Sequence, residues 1–594
     1  MPGIGGALDI ARWTLYSTQL AFEVTAHNIA NANTEGYSRQ KVEIEPNTPL
    51  KMGPGEIGTG ARATQVIRQY DDFISEQINT KNSQYYYWQS QYEALGQIEA
   101  IFNESDEYGL NKIMGDFWNA WSDLSNNPDG IPEREALLET SQKLVQFIGD
   151  LDYNLRECQR HIDTVTQGSI EQINSITSQI AELNKQISSV EIKGFINAND
   201  LRDQRDKLLS QLSEYVDISY YEEKSSGQVM VFVLGGTPLV LGKDSLNIEA
   251  QRNATTGLTD LIWKDDSGRT VNITNKLEGG KVAGWVNVRD NKIGSYIDSL
   301  NTLTQALTWQ VNSLQSEGVG LKSVSSMVGT VDIASLSDDL STDFMFSDGY
   351  NAGGQFDIVA YDSSGNVSHI YTINPAGSTV NDLITEINAE AAAGGSEFTA
   401  SLTNGTDGNF QIQANGNYTF ALKAHGDSES NHALAIMGVN TFFSWTEDTG
   451  EPPDDLTETL DVNSAIKADS ELIAAGTLDN NNKVAPGSND VALAIASLQD
   501  KVIPDLGGTG VDTTLDSYYS SFIACVGIDV QNAEMNEKFN DSLLNQYIQK
   551  KESITGVNLD EEMTEILKNQ HLYQAAAKLI SICDEMMQTL LSTK

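Results

Sequence analysis

Basic residues are scarce in this chain. Its 594 residues carry 37 Lys and Arg against 83 Asp and Glu, a formal net charge of −46, and no arginine follows Arg289. A surface this negative repels phosphate, so neither nucleic acid nor an anionic membrane is an expected partner. Long apolar runs are also missing. Nothing approaches the roughly 18 residues of a membrane span, so membrane insertion is not expected. The opening MPGIGGALDIARW has neither the basic stretch nor the apolar core of a secretory signal, so no cleavable leader is expected. Cysteine is nearly absent. Cys158, Cys525 and Cys583 are an odd number and far apart, which excludes a disulfide scaffold and leaves the compartment open.

The residues that carry catalysis are equally thin. Six histidines occur (His27, His161, His369, His425, His432 and His571), with no HExxH, CxxC or GxSxG. His425 and His432 stand seven apart in a loop-rich stretch, poor spacing for one metal ion. The carboxylates of LDEEM (559–563) open a helix, where acids favour the dipole. PLKMGPGEIGTGA contains GxGxxG at Gly53, Gly55 and Gly58, but Pro54 sits inside the turn and no strand–helix context surrounds it. No catalytic or metal residue is nominated, and no cofactor is expected.

What is present is hydrophobic periodicity. Apolar content of 39% is enough for several cores, and the length suits roughly three to five domains. From Ala7 to Ala32, Leu8, Leu15, Phe22 and Ile29 recur every seven residues, with Ala11, Thr18 and Thr25 at a +3 offset. That is a narrow helix–helix seam. The stretch AHNIANANTEGYSRQKVEI (26–44) ends it. Asn28, Asn31 and Asn33 compete with the helix through their own backbone, and Gly36 takes positive φ at no steric cost, so RQKVEIE leaves extended.

Helical patterns run from about Asp71 to Tyr215, broken at NNPDGIP (126–132), with Ile173, Ile176, Ile180, Leu183, Ile187 and Val190 on one face. In NANDLRDQRDKLLSQLSEYV, Arg202 with Asp206 and Asp203 with Lys207 stand at i, i+4, the pattern of a solvated helix face. Residues 216–285 alternate as strands, and helix returns at 290–316. Residues 331–460 hold 20 acids and one Lys, Lys423, and alternate as FDIVAYD, SHIYTI, FTASL, FQIQA and YTFALKA around the helix TVNDLITEINAEAAA. In the final helix Leu572, Ala576, Leu579, Cys583, Met586 and Leu590 repeat at 4, 3, 4, 3, 4. So amphipathic a helix needs a cover: the N-terminal seam, or the same helices of neighbouring molecules.

HNIANANTEGYSRQ resembles the N-terminal signature of flagellar rod, hook and hook-associated proteins, through Asn28, Asn31, Asn33, Gly36, Tyr37, Arg39 and Gln40. TGVNLDEEMTEILKNQHLYQAAAKLISICDEMMQTLL is similar to the C-terminal signature of the same axial family. NANDLRDQRDKLLSQLSEYVDI and GGKVAGWVNVRD resemble internal segments of its hook-associated branch. The resemblance covers roughly residues 1–320 and 460–594 and does not extend to the acidic insert.

It implies a mainly α fold with β-rich outer domains and terminal helices paired as a coiled coil. The expected divisions are 1–45 (axial helix and joint, paired with 556–594), 46–330 (helical bundle with a β-rich part at about 216–285), 331–460 (acidic β-rich insert), 461–555 (return to the bundle) and 556–594. It implies a structural subunit at the hook–filament junction, exported unfolded to the cell exterior through the type III apparatus. The implied partners are further copies in a ring, hook protein, a second hook-associated junction protein and an export chaperone. Two other readings stand beside it: a hook- or rod-type axial protein, and a secreted surface-binding protein using the acidic insert.

Overall fold

Local sequence sets the helix boundaries. The structure, a computed structural model, describes residues 3–593 apart from 53–54, 105–107, 193–195, 234, 266, 426–429, 447–454 and 509; Gly53 and Pro54 of the glycine-rich link therefore lie outside the described residues. The helices are α1 (Ile4–Ala30), α2 (Asp72–Ile101), α3 (Leu110–Asn126), α4 (Ile131–Val190), α5 (Asn199–Tyr215), α6 (Gly280–Val286), α7 (Ile293–Ser316), α8 (Val380–Gly394), α9 (Ala433–Ile436), α10 (Ser464–Ala468), α11 (Asp490–Ala496), α12 (Leu515–Thr555) and α13 (Leu559–Ser592). Pro132 falls in the first turn of α4, where its missing N–H costs nothing, so NNPDGIP stops one helix and starts the next. α8 opens on a capping box in which the Thr379 hydroxyl accepts from Asp382 N and the Asp382 carboxylate accepts from Thr379 N.

The chain forms two compact units, 1–95 with 160–290 and 530–594, and 96–159 with 291–529. In the first, strand Gln40–Pro46 pairs antiparallel with Ala61–Arg68, and a short hairpin joins Leu50–Met52 to Gly55–Ile57. Its core packs Ile173, Ile176, Ile180, Leu209 and Leu212 against Val229, Val231, Val233, Val240 and Trp263 from the sheets that follow α5. The strand Val229–Val233 alternates buried and half-buried, as a one-sided sheet requires. Helix begins again at Gly280, earlier than the alternation indicated, because Val282, Ala283 and Val286 share one buried helical face. Gly280 has φ +79, and a Cβ there would lie 2.4 Å from the Tyr215 backbone, so only glycine fits this turn.

In the second unit, Phe117 and Trp121 of α3 meet Phe442 and Phe443, with Trp118 against Phe117, all fully buried. The acidic stretch holds two three-stranded sheets. One is ordered Val367–Ile373, Phe356–Tyr361, Thr419–Ala424; the other is Ser326–Ile333, Gly408–Ala414, Phe398–Leu402. Phe356–Tyr361 is buried at every position, as a central strand covered on both faces must be. His425 and His432 do not converge: His425 Nδ1 lies 2.7 Å from Asp357, while His432 faces Glu317.

The cysteines are unpaired and differ in surroundings: Cys525 exposed, Cys158 half-buried, Cys583 buried. Burial pushes the Cys158 thiol above its ordinary value, which reduces its thiolate fraction. With a small disulfide reagent at pH 8, Cys525 is expected to react first, Cys158 more slowly and Cys583 last. Mass mapping of the modified peptides reads the order.

Candidate assembly interface

α1 packs along α13. Because Asn28, at the end of α1, meets Glu562, at the start of α13, the two helices run antiparallel. Their contact is made by small residues. On α1 the buried positions include Ala11, Thr18 and Thr25, seven apart; on α13 they are Glu562, Asn569, Ala576 and Cys583, also seven apart. The threonine hydroxyls are satisfied within their own helix: Thr18 donates to Thr14 O at 2.6 Å and Thr25 to Ala21 O at 2.8 Å. That leaves their methyl groups for packing.

The larger members of the sequence seam stand elsewhere. Leu8, Leu15 and Ile29 are half-buried at the margin. Phe22, Leu572, Leu579, Met586 and Leu590 are between 43% and 60% exposed. Of the ten seam residues, then, only Ala576 and Cys583 sit inside the pair. The repeat in the sequence is two stripes: a small one facing inward between helices and a bulky one facing out. On α13 Leu572, Leu579 and Met586 stand seven apart with Leu590 four beyond, so they form one row; Trp13, Tyr16, Met563, Leu567 and Tyr573 are exposed away from it. Single exposed apolar residues are common, but a continuous row of them marks a contact surface.

At its base the pair is fastened by the joint. Asn28 is 1% exposed, and its amide is fully used. Nδ2 donates to Gln40 O (2.9 Å) and Glu562 Oε2 (3.0 Å), while Oδ1 accepts from Gln40 N (2.9 Å) and Tyr37 OH (2.8 Å). Burial first, then Asp200, Asp203 and Glu562, push the Tyr37 phenol well above its usual value, so it stays a donor. Arg39 Nε donates to Glu562 Oε1 at 2.7 Å and its Nη1 to Glu561 at 2.9 Å, while its backbone N–H caps Thr555 O. Asn31 Nδ2 bonds back to His27 O, closing the helix end. Gly36 turns the chain at φ +83, and Asn33 is exposed beside it. Asn28 and Asn31 are structural here, each by different bonds.

The charge run of α5 is not a solvated face. Asp203 and Arg205 are buried. Asp203 accepts from Ser38 N (2.9 Å) and Arg68 Nη1 (2.8 Å), Asp206 takes the same Arg68 at 2.6 Å, and Asp200 takes Gln40 Nε2 at 2.7 Å. Arg202 pairs with Glu191 and Glu222 rather than with Asp206, and Lys207 reaches Glu35. The pairing at i, i+4 lost because other partners reach these side chains: residues 35–68 for Asp203, Asp206 and Lys207, and Glu191 and Glu222 for Arg202. Burial raises the Asp203 carboxyl above its ordinary value, only partly opposed by Ser38 N–H and Arg68. Sequence reasoning missed Glu562, Asp203 and Arg68. Glu562 carried a signal, since it continues the heptad of Asn569, Ala576 and Cys583 toward the helix start.

Replacing Asn28 with Leu removes four hydrogen bonds, leaves Gln40 N, Gln40 O and Tyr37 OH without this partner, and takes one of the two donors of the buried Glu562 carboxylate. Each orphaned group costs about 1–3 kcal/mol. Amide exchange across α1 and the first turns of α13 should accelerate by at least tenfold, while the strand Val229–Val233 stays protected. Unchanged exchange at both ends would contradict this.

Against known families, residues 95–327 match the flagellar hook-associated protein FlgK helical domain. Residues 8–37 match the flagella basal body rod protein family, and residues 549–593 the C-terminal family of flagellar basal body rod FlgEFG proteins. The chain is 25% identical over 592 residues to flagellar hook-associated protein 1 of Bacillus subtilis, covering 98% of this chain and 97% of that one. It is 24% identical over 592 residues to the protein of that name from Escherichia coli K12, and 23% over 588 to that of Salmonella typhimurium, covering 98% of each chain. In fold it is similar to the flagellar hook junction protein FlgK of Burkholderia pseudomallei, with a TM-score of 0.53 at 15% identity, over 81% of this chain and 100% of that one. The matches at both ends and in the helical middle fall along one chain, and over nearly its whole length the chain is similar to flagellar hook-associated protein 1.

Proposed function

We propose that the chain is a structural subunit of the bacterial flagellum, forming the junction between hook and filament. It assembles through its paired terminal helices. The observation that carries this is the outward apolar row on the α1–α13 pair, with Leu579, Met586 and Leu590 43–60% exposed in the single chain. An amphipathic pair of this kind is completed by lateral contact with further pairs, which buries the row. A hook- or rod-type role would use the same ends, and the terminal matches to rod-protein families fit it. The helical region 95–327 favours the hook-associated role.

Further copies of this chain are the first partners. Hook protein below and a second hook-associated protein above follow from a junction position. Export through the flagellar type III apparatus with a dedicated chaperone suits helices whose stable partner is another subunit, and it places the protein outside the cell. No helix of the described residues is long and apolar enough to cross a membrane. The role is architectural rather than enzymatic, and calls for no cofactor. A null strain complemented with this chain tests the proposal: filaments return if it forms the junction, and continued shedding of flagellin into the medium despite export rejects it.

A further inference from the structure

The small stripe between α1 and α13 poses a problem of register. Ala11, Thr18 and Thr25 on one helix, and Asn569, Ala576 and Cys583 on the other, each repeat every seven residues. Sliding one helix by a heptad, about 10.5 Å, again sets small residues against small residues. Small side chains interlock weakly, so the apolar contact alone distinguishes these alignments poorly.

One group on the stripe does distinguish them. Glu562 is 2% exposed and, among the described residues, is the only carboxyl side chain among the buried residues of the two helices. It accepts from Asn28 Nδ2 and Arg39 Nε. Neither donor is free to follow it. Asn28 is held by Gln40 N, Gln40 O and Tyr37 OH, and Arg39 by its backbone bond to Thr555 O. The joint itself is anchored on α5 through Ser38 N to Asp203 and Gln40 Nε2 to Asp200. The receptor for the carboxylate is thus held by the joint and α5, and a slip that carries α13 one heptad along α1 strands the Glu562 carboxylate against threonine methyls or alanine. The opposite slip carries Glu562 past the end of α1, so one alignment alone gives it both donors.

We propose that Glu562 is the positioning residue that sets the register of the α1–α13 pair, with Asn28 and Arg39 as its fixed receptor. This rests on the reading that the terminal helices pair, and adds what selects one alignment of them. A buried polar group used in this way gives specificity more than stability. In a ring of subunits the consequence is shared: one register gives every copy the same outward row of Leu572, Leu579 and Met586.

Native Cys583 supplies the probe. In the full-length chain with Cys158 and Cys525 changed to Ser, single cysteines are placed in turn at α1 positions from Ile4 to Thr18. Disulfide formation with Cys583 is measured after mild oxidation. The parent should give one maximum of yield along α1. Glu562→Leu, which removes the buried charge and keeps an apolar side chain, should give a second maximum seven residues away, rising to within about threefold of the first. Glu562→Gln keeps an acceptor for Arg39 and should hold the single maximum. A role confined to stability would lower all yields together without moving their position. One unmoved maximum in Glu562→Leu overturns the register inference. The absence of crosslinks anywhere in the parent overturns the pairing on which it rests.

Discussion

Aspartate at both Leu579 and Met586 leaves the chain folded and soluble yet unable to join hook to filament. Each side chain is 43% exposed in the single chain, so a carboxylate there stays hydrated and folding is spared. Assembly changes the environment. Completing the burial of the native Leu and Met contributes about 1–2 kcal/mol each, whereas desolvating an unpaired carboxylate costs several kcal/mol on the order-of-magnitude scale. The substituted row therefore loses its gain and acquires a larger penalty. Circular dichroism and solubility should match the parent, and the complemented strain should shed flagellin. Leu15→Asp with Phe22→Asp should do the same from the other helix, with some loss of helix content because Leu15 is half-buried. Normal filaments from either double variant would mean that the row is not the assembly contact.

Phe442→Ala produces the opposite kind of defect. Phe442 is fully buried and packs against Trp121 at 5.2 Å and Phe443 at 5.0 Å between ring centres. Removing a phenyl ring from such a core costs about 3–5 kcal/mol. In a background where the six other tryptophans are changed to Phe, the fluorescence transition of Trp118 and Trp121 in urea should shift to clearly lower denaturant, while Ser364→Ala in an exposed turn should leave it in place. The comparison also bears on how the acidic stretch can be shortened. The strands from 356 to 424 can be viewed as an appended lobe, but Phe442 and Phe443 belong to the aromatic core with α3. A deletion that takes residues 433–445 removes core, and should unfold that unit whatever it does to assembly.

The contrast between these two variants shows where sequence is informative. Strands such as FTASL and helices such as 293–316 are legible because their periodicity records burial within a short window. The end of α1 at the asparagines was legible because asparagine and Gly36 act on their own backbone. The identity of the joint as a receptor was not. Asn28 bonds residues 12 and 534 positions away, and Asp203 bonds residues 165 and 135 positions away. Such partners leave no local pattern. The seam residues are heptad-spaced, but spacing alone does not say which stripe faces the partner helix. Small residues permit close approach of two backbones, and that geometry turned Ala11, Thr18 and Ala576 inward and left Leu579 and Met586 outward.

The central claim is that this outward row becomes the contact between subunits. It is tested most directly by the reactivity of one thiol in two states. With Cys158, Cys525 and Cys583 all changed to Ser, Leu579→Cys is labelled with a maleimide in the isolated chain and in purified hook–filament junctions, and Ser364→Cys in the same background is the exposed reference. The account predicts ready labelling of position 579 in the isolated chain and at least tenfold slower labelling in the junction, while position 364 reacts equally in both. Equal labelling of position 579 in the two states would contradict it.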